Sequence, residues 1–184
     1  MLRVNQIFKK SSTTALLAIL AVSPVLAVPK VDAKPANTSE TMKQIRKRLV
    51  TLPYYGVFDN LAYKYEDGIV TLYGQVVRPT TRSDAARSVE RVPGVEQVVN
   101  RIEVLPLSSF DDQIRIATYR AIYRQPGLDR LAYQAVPPIH IVVKRGNVTL
   151  EGVAPTRADS TRAYIAARGV SNVFSVTNNL VTER

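Results

Sequence analysis

The chain has 184 residues, which is enough for one domain of ordinary size or for two small ones. It contains no cysteine and one histidine, so it forms no disulfide and lacks the ligands of the common zinc sites. Its 25 basic residues outnumber the 15 acidic ones and give a formal charge of +10. A chain this basic is attracted to anionic lipid headgroups, acidic polymers or nucleic acid.

The first 27 residues have the features of a secretory signal peptide. Basic residues precede an apolar run at 15–22, and small residues at 25–27 suit a cleavage site. An uncleaved membrane anchor is disfavoured, because the stretch 13–27 has only 15 residues and includes Pro24, whereas a spanning helix needs about 20. A second candidate cleavage site at 31–33 leaves the start of the mature chain open. We expect an exported protein, periplasmic or secreted, that is soluble and not a lipoprotein.

The charge of the mature chain indicates its partner. Residues 1–27 carry three basic and no acidic side chains, so their removal leaves a formal charge of +7. Residues 28–38 lack apolar periodicity, which predicts a flexible leader. Because export argues against contact with nucleic acid, we expect anionic phospholipid or a membrane surface as the partner, with envelope proteins as further candidates and no nucleic acid.

Four predicted elements follow the leader. The segment 39–52 has apolar residues at spacings of three and four, which predicts an amphipathic helix that ends at Pro53. The segment 56–77 alternates apolar and polar residues on both sides of Asp67-Gly68 and predicts a β-hairpin. A helix over 78–92 and a strand over 94–104 complete the unit. The helical positions expected in the core are Met42, Ile45, Leu49, Leu52, Ala85 or Ala86, Val89 and Val92.

The same order of elements recurs in the second half of the chain. The helix over 108–123 has Ser109 and Asp112 at capping-box spacing, and a longer connection over 124–140 leads into the next strand. A shift of 78 positions then aligns the two halves without a gap. The matched pairs include Gly68 and Gly146, Val70 and Val148, Thr71 and Thr149, Leu72 and Leu150, Gly74 and Gly152, and Asn100 and Asn178. Gly94 pairs with Asn172, and both residue types tolerate the positive φ that follows a helix.

The repeated Gly-x-Val-x-Leu-x-Gly motif, followed by a helix and an alternating strand, resembles tandem BON domains, the module named from bacterial osmotically induced and nodulation proteins. The resemblance implies an α+β fold of two α-β-β-α-β repeats, each a small three-stranded sheet packed with two helices. The first repeat is expected over 39–106 and the second over 107–184. It also implies a periplasmic or surface protein that contacts phospholipid or other envelope components and has no known catalysis. Asn172 and the long second connection depart from the family pattern.

The sequence offers little catalytic machinery. The lone His140 lies in an apolar, alternating strand, where a structural or surface role is expected, and a metal role is rejected. The acidic pairs at 66–67 and 111–112 fit a hairpin tip and the first turn of a helix. Serines such as Ser83 and Ser160 have no partnered histidine, and no phosphate-binding glycine loop is present. We therefore expect a protein that is not an enzyme and needs no cofactor.

The candidate binding residues lie on the first helix of the second repeat. Arginine donates a fork of hydrogen bonds to phosphate, and tyrosine suits the boundary between apolar and aqueous phases. The predicted lipid-binding residues, spaced at i and i+4, are Arg115, Tyr119, Arg120, Tyr123 and Arg124. The alternative is that some of these side chains pack the core. A second basic patch comes from the first helix, through Lys43, Arg46, Lys47 and Arg48. The rival function is a protein-interaction or chaperone-like module.

Overall fold

The structure, a computed structural model, describes residues 38–182. The predicted signal peptide and all but the last residue of the predicted leader lie outside this part of the chain. Within the described residues, no helix has the length and apolar character needed to cross a bilayer.

The first repeat has the predicted order of elements. Its bounds are α1 (Thr38–Val50), β1 (Asn60–Glu66), β2 (Ile69–Val76), α2 (Pro79–Val89), β3 (Gln97–Asn100) and β4 (Glu103–Val104). Strand β1 is antiparallel to β2, while β3 and β4 run parallel to β2 on its other side. Proline at the start of α2 suits the first helical position, where no donor is needed.

The second repeat repeats this topology after a longer connection. Its bounds are α3 (Ser109–Tyr123), a 3₁₀ helix (Asp129–Tyr133), β5 (Ile139–Lys144), β6 (Asn147–Ala154), α4 (Arg157–Arg168), β7 (Ser175–Asn178) and β8 (Val181–Thr182). Strand β6 is central, antiparallel to β5 and parallel to β7 and β8. The predicted α+β fold of two α-β-β-α-β repeats is therefore confirmed.

The last predicted strand of each repeat is interrupted, and the paired asparagines explain the break. Asn100 Oδ1 accepts a hydrogen bond from the Ile102 amide at 3.1 Å, and Asn178 Oδ1 accepts one from the Leu180 amide at 3.2 Å. Such side-chain turns compete with the ladder for backbone donors. Each strand therefore divides into two short segments that both pair with the central strand.

The two glycines of the repeated motif have different roles. Gly68 and Gly146 lie in hairpin turns, where they and the residue before them have positive φ, as type I′ turns require. Gly74 and Gly152 instead lie inside β2 and β6, with φ of 110° and 102°. A Cβ at Gly74 would lie 2.0 Å from the Asn60 carbonyl oxygen. The second glycine thus permits close approach of two backbones and is not a turn residue. The expected positive φ at Asn172 is present, at 67°.

Each repeat has its own hydrophobic core between its helices and one face of its sheet. The predicted core residues of the first repeat are buried except Met42, which is exposed, and Ala86, which is half-buried. Thr41 is buried in place of Met42, and its hydroxyl donates a hydrogen bond to the Pro93 carbonyl oxygen at 3.1 Å. The prediction is therefore wrong for Met42, while Ile45 and Leu49 show that the predicted face of α1 is otherwise correct.

Candidate functional site

Helix α3 is tied to the β5–β6 hairpin by a buried carboxylate. Asp111 is 1% exposed, and its two oxygens accept hydrogen bonds from the backbone amides of Arg145 at 2.9 Å and Gly146 at 2.8 Å. The N-cap is Ser108, which accepts from the Asp111 amide, so the predicted cap at Ser109 is one residue late. These bonds hold the start of the helix beside the hairpin tip.

Two of the five predicted lipid-binding residues are buried. Arg115 is 2% exposed; it forms an ion pair with Asp112 and donates from Nη2 to the Val143 carbonyl oxygen at 2.8 Å. Tyr123 is 6% exposed and donates from its hydroxyl to the Ile139 carbonyl oxygen at 2.8 Å. Burial raises the pKa of this phenol. The prediction of one accessible face is therefore wrong for these two residues, because both side chains satisfy carbonyls of β5.

The other three predicted residues remain accessible but do not form one cluster. Tyr119 is half-buried, with its ring 4.8 Å from that of Tyr123 and 6.3 Å from that of Phe58. Arg120 and Arg124 are exposed, and neither makes an ion pair within residues 38–182. They continue a solvent-facing stripe of α3 that has helical spacing. The stripe consists of Phe110, Gln113, Ala117, Arg120 and Arg124.

The stripe begins at an aromatic and basic surface, here called the second tip, formed by Phe110, Arg145 and Phe174. The two phenylalanine rings lie 6.0 Å apart, and Phe174 is 73% exposed. Phe174 also covers Gly146, where an added Cβ would lie 2.7 Å from its ring. The adjoining Lys144 forms an ion pair with Glu103 of the first repeat, which leaves Arg145 as the exposed cation of the tip.

The equivalent surface of the first repeat, here called the first tip, is acidic. It is formed by Glu66, Asp67 and Glu96, all of them exposed. The 78-residue register pairs these three with Lys144, Arg145 and Phe174. The two turns share their glycine, Gly68 or Gly146, whereas the exposed residues around it are acidic in the first repeat and basic or aromatic in the second. A comparison of the non-identical positions in this register could have identified the site from the sequence.

A groove, here called the composite groove, lies next to the stripe and shares Arg120 with it. Ile116, Tyr119 and Arg120 form its α3 wall. Ala132, Ala135 and Pro137 of the long connection form a second wall, and Val57 and Phe58 of the first repeat complete it. Its volume is about 510 Å³. Leu128 and Leu131 are buried and hold the connection against the core.

The composite groove depends on contact between the repeats, which sequence reasoning missed. Val57 and Phe58 pack against the core of the second repeat, and the Val57 carbonyl oxygen accepts a hydrogen bond from the Ile141 amide at 2.8 Å. Asp59 orders this segment by accepting from the amides of Gly56 and Val77. The long connection was recognised in the sequence, but nothing there indicated that the first repeat would close the groove.

His140 lies where the repeats meet. Its ring lies 5.6 Å from that of Tyr55, and its Nδ1 is buried without a hydrogen-bond partner. Burial lowers the pKa of His140, an effect opposed by the backbone of Asp59 and Gly56 and by the charge of Asp59. Burial likewise raises the pKa of the Asp59 carboxyl. The environment of His140 is that of a packed interface residue, in keeping with the structural role expected from the sequence.

The other basic patch is fully accessible. Lys43, Arg46, Lys47 and Arg48 of α1 are all exposed, and none of them forms an ion pair in the described part of the chain. This patch lacks the paired aromatic rings of the second tip. Its exposed apolar neighbours on α1 are Met42 and Val50, neither of which is aromatic.

The fold and these surfaces define a tandem α+β repeat protein that presents an acidic tip on one repeat and a basic, aromatic tip on the other. The model of the BON domain matches residues 39–106 and 120–184, and the chain belongs to that family as a tandem BON-domain protein. BON domains are associated with phospholipid and the cell envelope.

Among solved structures, the chain is similar to the C-terminal domain of CdsD, a structural protein of the type III secretion system of Chlamydia trachomatis. The identity is 11%, the TM-score is 0.29, and the match covers 79% of this chain and 98% of that one. A second CdsD structure matches with 12% identity and a TM-score of 0.29, over 78% of this chain and 92% of the other. No curated protein sequence matches the chain.

Proposed function

We propose that this protein is an exported, non-catalytic, envelope-associated protein that binds anionic phospholipid through the second tip and supports envelope integrity or stress tolerance. The observation that carries the proposal is the pair of exposed phenylalanines beside an exposed arginine at the end of α3. Aromatic side chains settle at the membrane interface, while arginine pairs with phosphate through a fork of donors.

The surface next to the second tip extends the cationic character. Arg120 and Arg124 lie on the same stripe of α3 as Phe110. Each basic residue close to an anionic membrane contributes about 1 kcal/mol, so Arg145, Arg120 and Arg124 together hold the protein weakly and in a salt-dependent manner. Burial of the phenylalanine rings adds an apolar contribution that salt does not screen.

The test is flotation of the chain from Val28 onward with neutral or anionic liposomes at low and high salt. The double variant Phe110→Ser, Phe174→Ser removes the rings, and Arg145→Asn removes the charge with a residue that tolerates the positive φ at that position. Matched controls are Tyr133→Ser, which removes another exposed aromatic ring, and Arg91→Asn in the first repeat.

We expect flotation with anionic liposomes at low salt, weakened by high salt and by both tip variants but not by the controls. Retained flotation in the tip variants with loss on charge reversal of Lys43, Arg46 and Lys47 would move the site to α1. Failure to float with every liposome would reject lipid binding and favour the protein-interaction function, to be tested by capture from envelope extract.

A further inference from the structure

The composite groove has a lining that differs from the rest of the surface. Seven of its nine lining residues are apolar or aromatic, and it is a shallow, open groove of about 510 Å³. It requires both repeats, because Phe58 of the first repeat packs edge-on against Tyr119 of α3. It also requires the long connection, whose 3₁₀ helix has no counterpart in the shorter connection of the first repeat.

The composite groove has few polar groups, and the charge among them is positive. Arg120 is its only charged lining residue, and its guanidinium forms no ion pair within residues 38–182. The uncharged polar groups of the lining are the Gln134 amide and the Tyr119 hydroxyl, and no carboxylate lines the groove. An apolar floor with one unpaired arginine at its side is complementary to an amphiphile with a negative headgroup.

The same lining disfavours an extended peptide as the occupant. A bound strand needs partners for its backbone amides and carbonyls, which are supplied in such complexes by a free sheet edge. No residue of a β-strand lines the groove. The β5 edge nearby is already bonded to the first repeat, through the Ile141 amide and the Val57 carbonyl oxygen. An acyl chain has no hydrogen bonds to satisfy and needs only apolar contact.

We propose that the composite groove binds one acyl chain of an anionic lipid, with Arg120 contacting its headgroup. The chain lies against Phe58, Tyr119 and Ala135, and the groove is a site separate from the second tip. The tip attaches the protein to a lipid surface, whereas the groove holds a single lipid molecule. The proposal goes beyond surface attachment and does not require it.

The test uses lauroyl lysophosphatidylglycerol below its critical micelle concentration, titrated into the chain from Val28 onward by calorimetry and by amide NMR shifts. Lauroyl lysophosphatidylcholine, with the same chain and no net charge, is the comparison ligand. Ala135→Trp fills the groove, with Ala158→Trp on α4 as the matched control, since both alanines are exposed. Arg120→Glu reverses the rim charge, with Arg157→Glu at the start of α4 as its control, because Arg157 is exposed and forms no ion pair within residues 38–182.

We expect saturable binding of the anionic amphiphile, with shifts at residues 57–58, 116–120 and 131–137. Ala135→Trp and Arg120→Glu should each weaken binding by about tenfold or more, and the two controls by less than about twofold. The neutral ligand should bind about tenfold more weakly than the anionic one. Unchanged circular dichroism and melting temperature establish that the variants fold.

Three results would overturn the proposal: no binding of the monomeric amphiphile, equal binding by Ala135→Trp, or shifts confined to residues 110, 145 and 174. The outcome is distinguishable from that of the flotation test. If Ala135→Trp still floats with anionic liposomes while it loses the amphiphile, both sites stand. If Phe110→Ser, Phe174→Ser loses flotation and keeps the amphiphile, the groove is independent of the tip.

Discussion

The two repeats share a backbone and differ in what they present to solvent. Both hairpins turn through a residue pair with positive φ, Asp67 and Gly68 in one and Arg145 and Gly146 in the other. Yet the first tip is acidic and the second is basic and aromatic. The comparison teaches that the positions that fix the fold are a small set of glycines, buried aliphatic residues and asparagines, which leaves the tips free to diverge.

The connections between the first helix and the first strand also differ. Nine residues join α1 to β1, and Asp59 orders them through the Gly56 and Val77 amides. Fifteen residues join α3 to β5, and they include a 3₁₀ helix fixed by Leu131. The short connection packs on the other repeat, and the long one forms a groove wall beside it. Unequal connections thus give the pair of repeats a site that neither has alone.

The strongest test of the shared backbone is alanine at the strand glycines. Gly74→Ala and Gly152→Ala would place Cβ at 2.0 Å and 2.1 Å from carbonyl oxygens of Asn60 and Pro138, at positive φ. We expect each to lower the free energy of unfolding by about 3 kcal/mol or more, measured by urea denaturation. Gly169→Ala is the control, because its φ is negative and its nearest atom lies at 3.6 Å. A small loss of stability in only one of the two variants would contradict the conclusion that the two sheets have the same backbone geometry.

The anchor of α3 should give the next largest effect. Asp111→Asn replaces a buried acceptor of two backbone amides and turns an amide donor toward one of them. We expect a loss of about 2 kcal/mol in the free energy of unfolding. Asp84→Asn in the first repeat, where the carboxylate pairs with exposed Arg87, should cost less than about 1 kcal/mol. Similar losses in the two variants would show that the tip is not held through Asp111.

The titration of His140 should make stability depend on pH, and the first repeat has no equivalent imidazole, because His140 corresponds to Ala62 in the 78-residue register. Burial lowers the pKa of His140 in the native state. As pH falls through about 6.5, the unfolded chain therefore takes up a proton that the native chain does not, and stability falls by at most about 1.4 kcal/mol per pH unit. The raised pKa of the Asp59 carboxyl has the opposite effect on stability, at pH values nearer the ordinary carboxyl pKa.

Urea denaturation between pH 7.5 and 5.5 measures this dependence. His140→Gln should flatten the decline, since it removes the only imidazole in the chain. Parallel declines in the two proteins would assign the effect to other groups.

Exchange of the tips should give the smallest energetic effect and the most direct functional one. Arg145→Asp with Phe174→Glu copies the first tip onto the second repeat, and Asp67→Arg with Glu96→Phe does the reverse. We expect the first pair to abolish flotation with anionic liposomes and the second to strengthen it, at about 1 kcal/mol per exchanged charge. Stability should change little, because the exchanged side chains are exposed. Equal flotation of both variants would show that the tip residues do not determine lipid binding.

The sequence by itself determined the order of elements, the two hairpin turns and most of the core. The 78-residue register and the local periodicities carried this information, because turn φ angles and helix and strand periods are short-range properties. It also indicated the family and the position of Asn172 after a helix. It did not show that Asn100 and Asn178 interrupt the last strand, since the alternation of apolar and polar residues continues on both sides of each asparagine.

Only the tertiary structure decided which face of α3 meets solvent and what lies against it. Arg115 and Tyr123 share helical spacing with accessible residues, but carbonyls of β5 accept their hydrogen bonds and draw both side chains inward. The composite groove likewise depends on Phe58 reaching Tyr119 across 61 positions of chain. Such long-range contacts follow from how two cores pack together, and they cannot be predicted from the periodicity within one element.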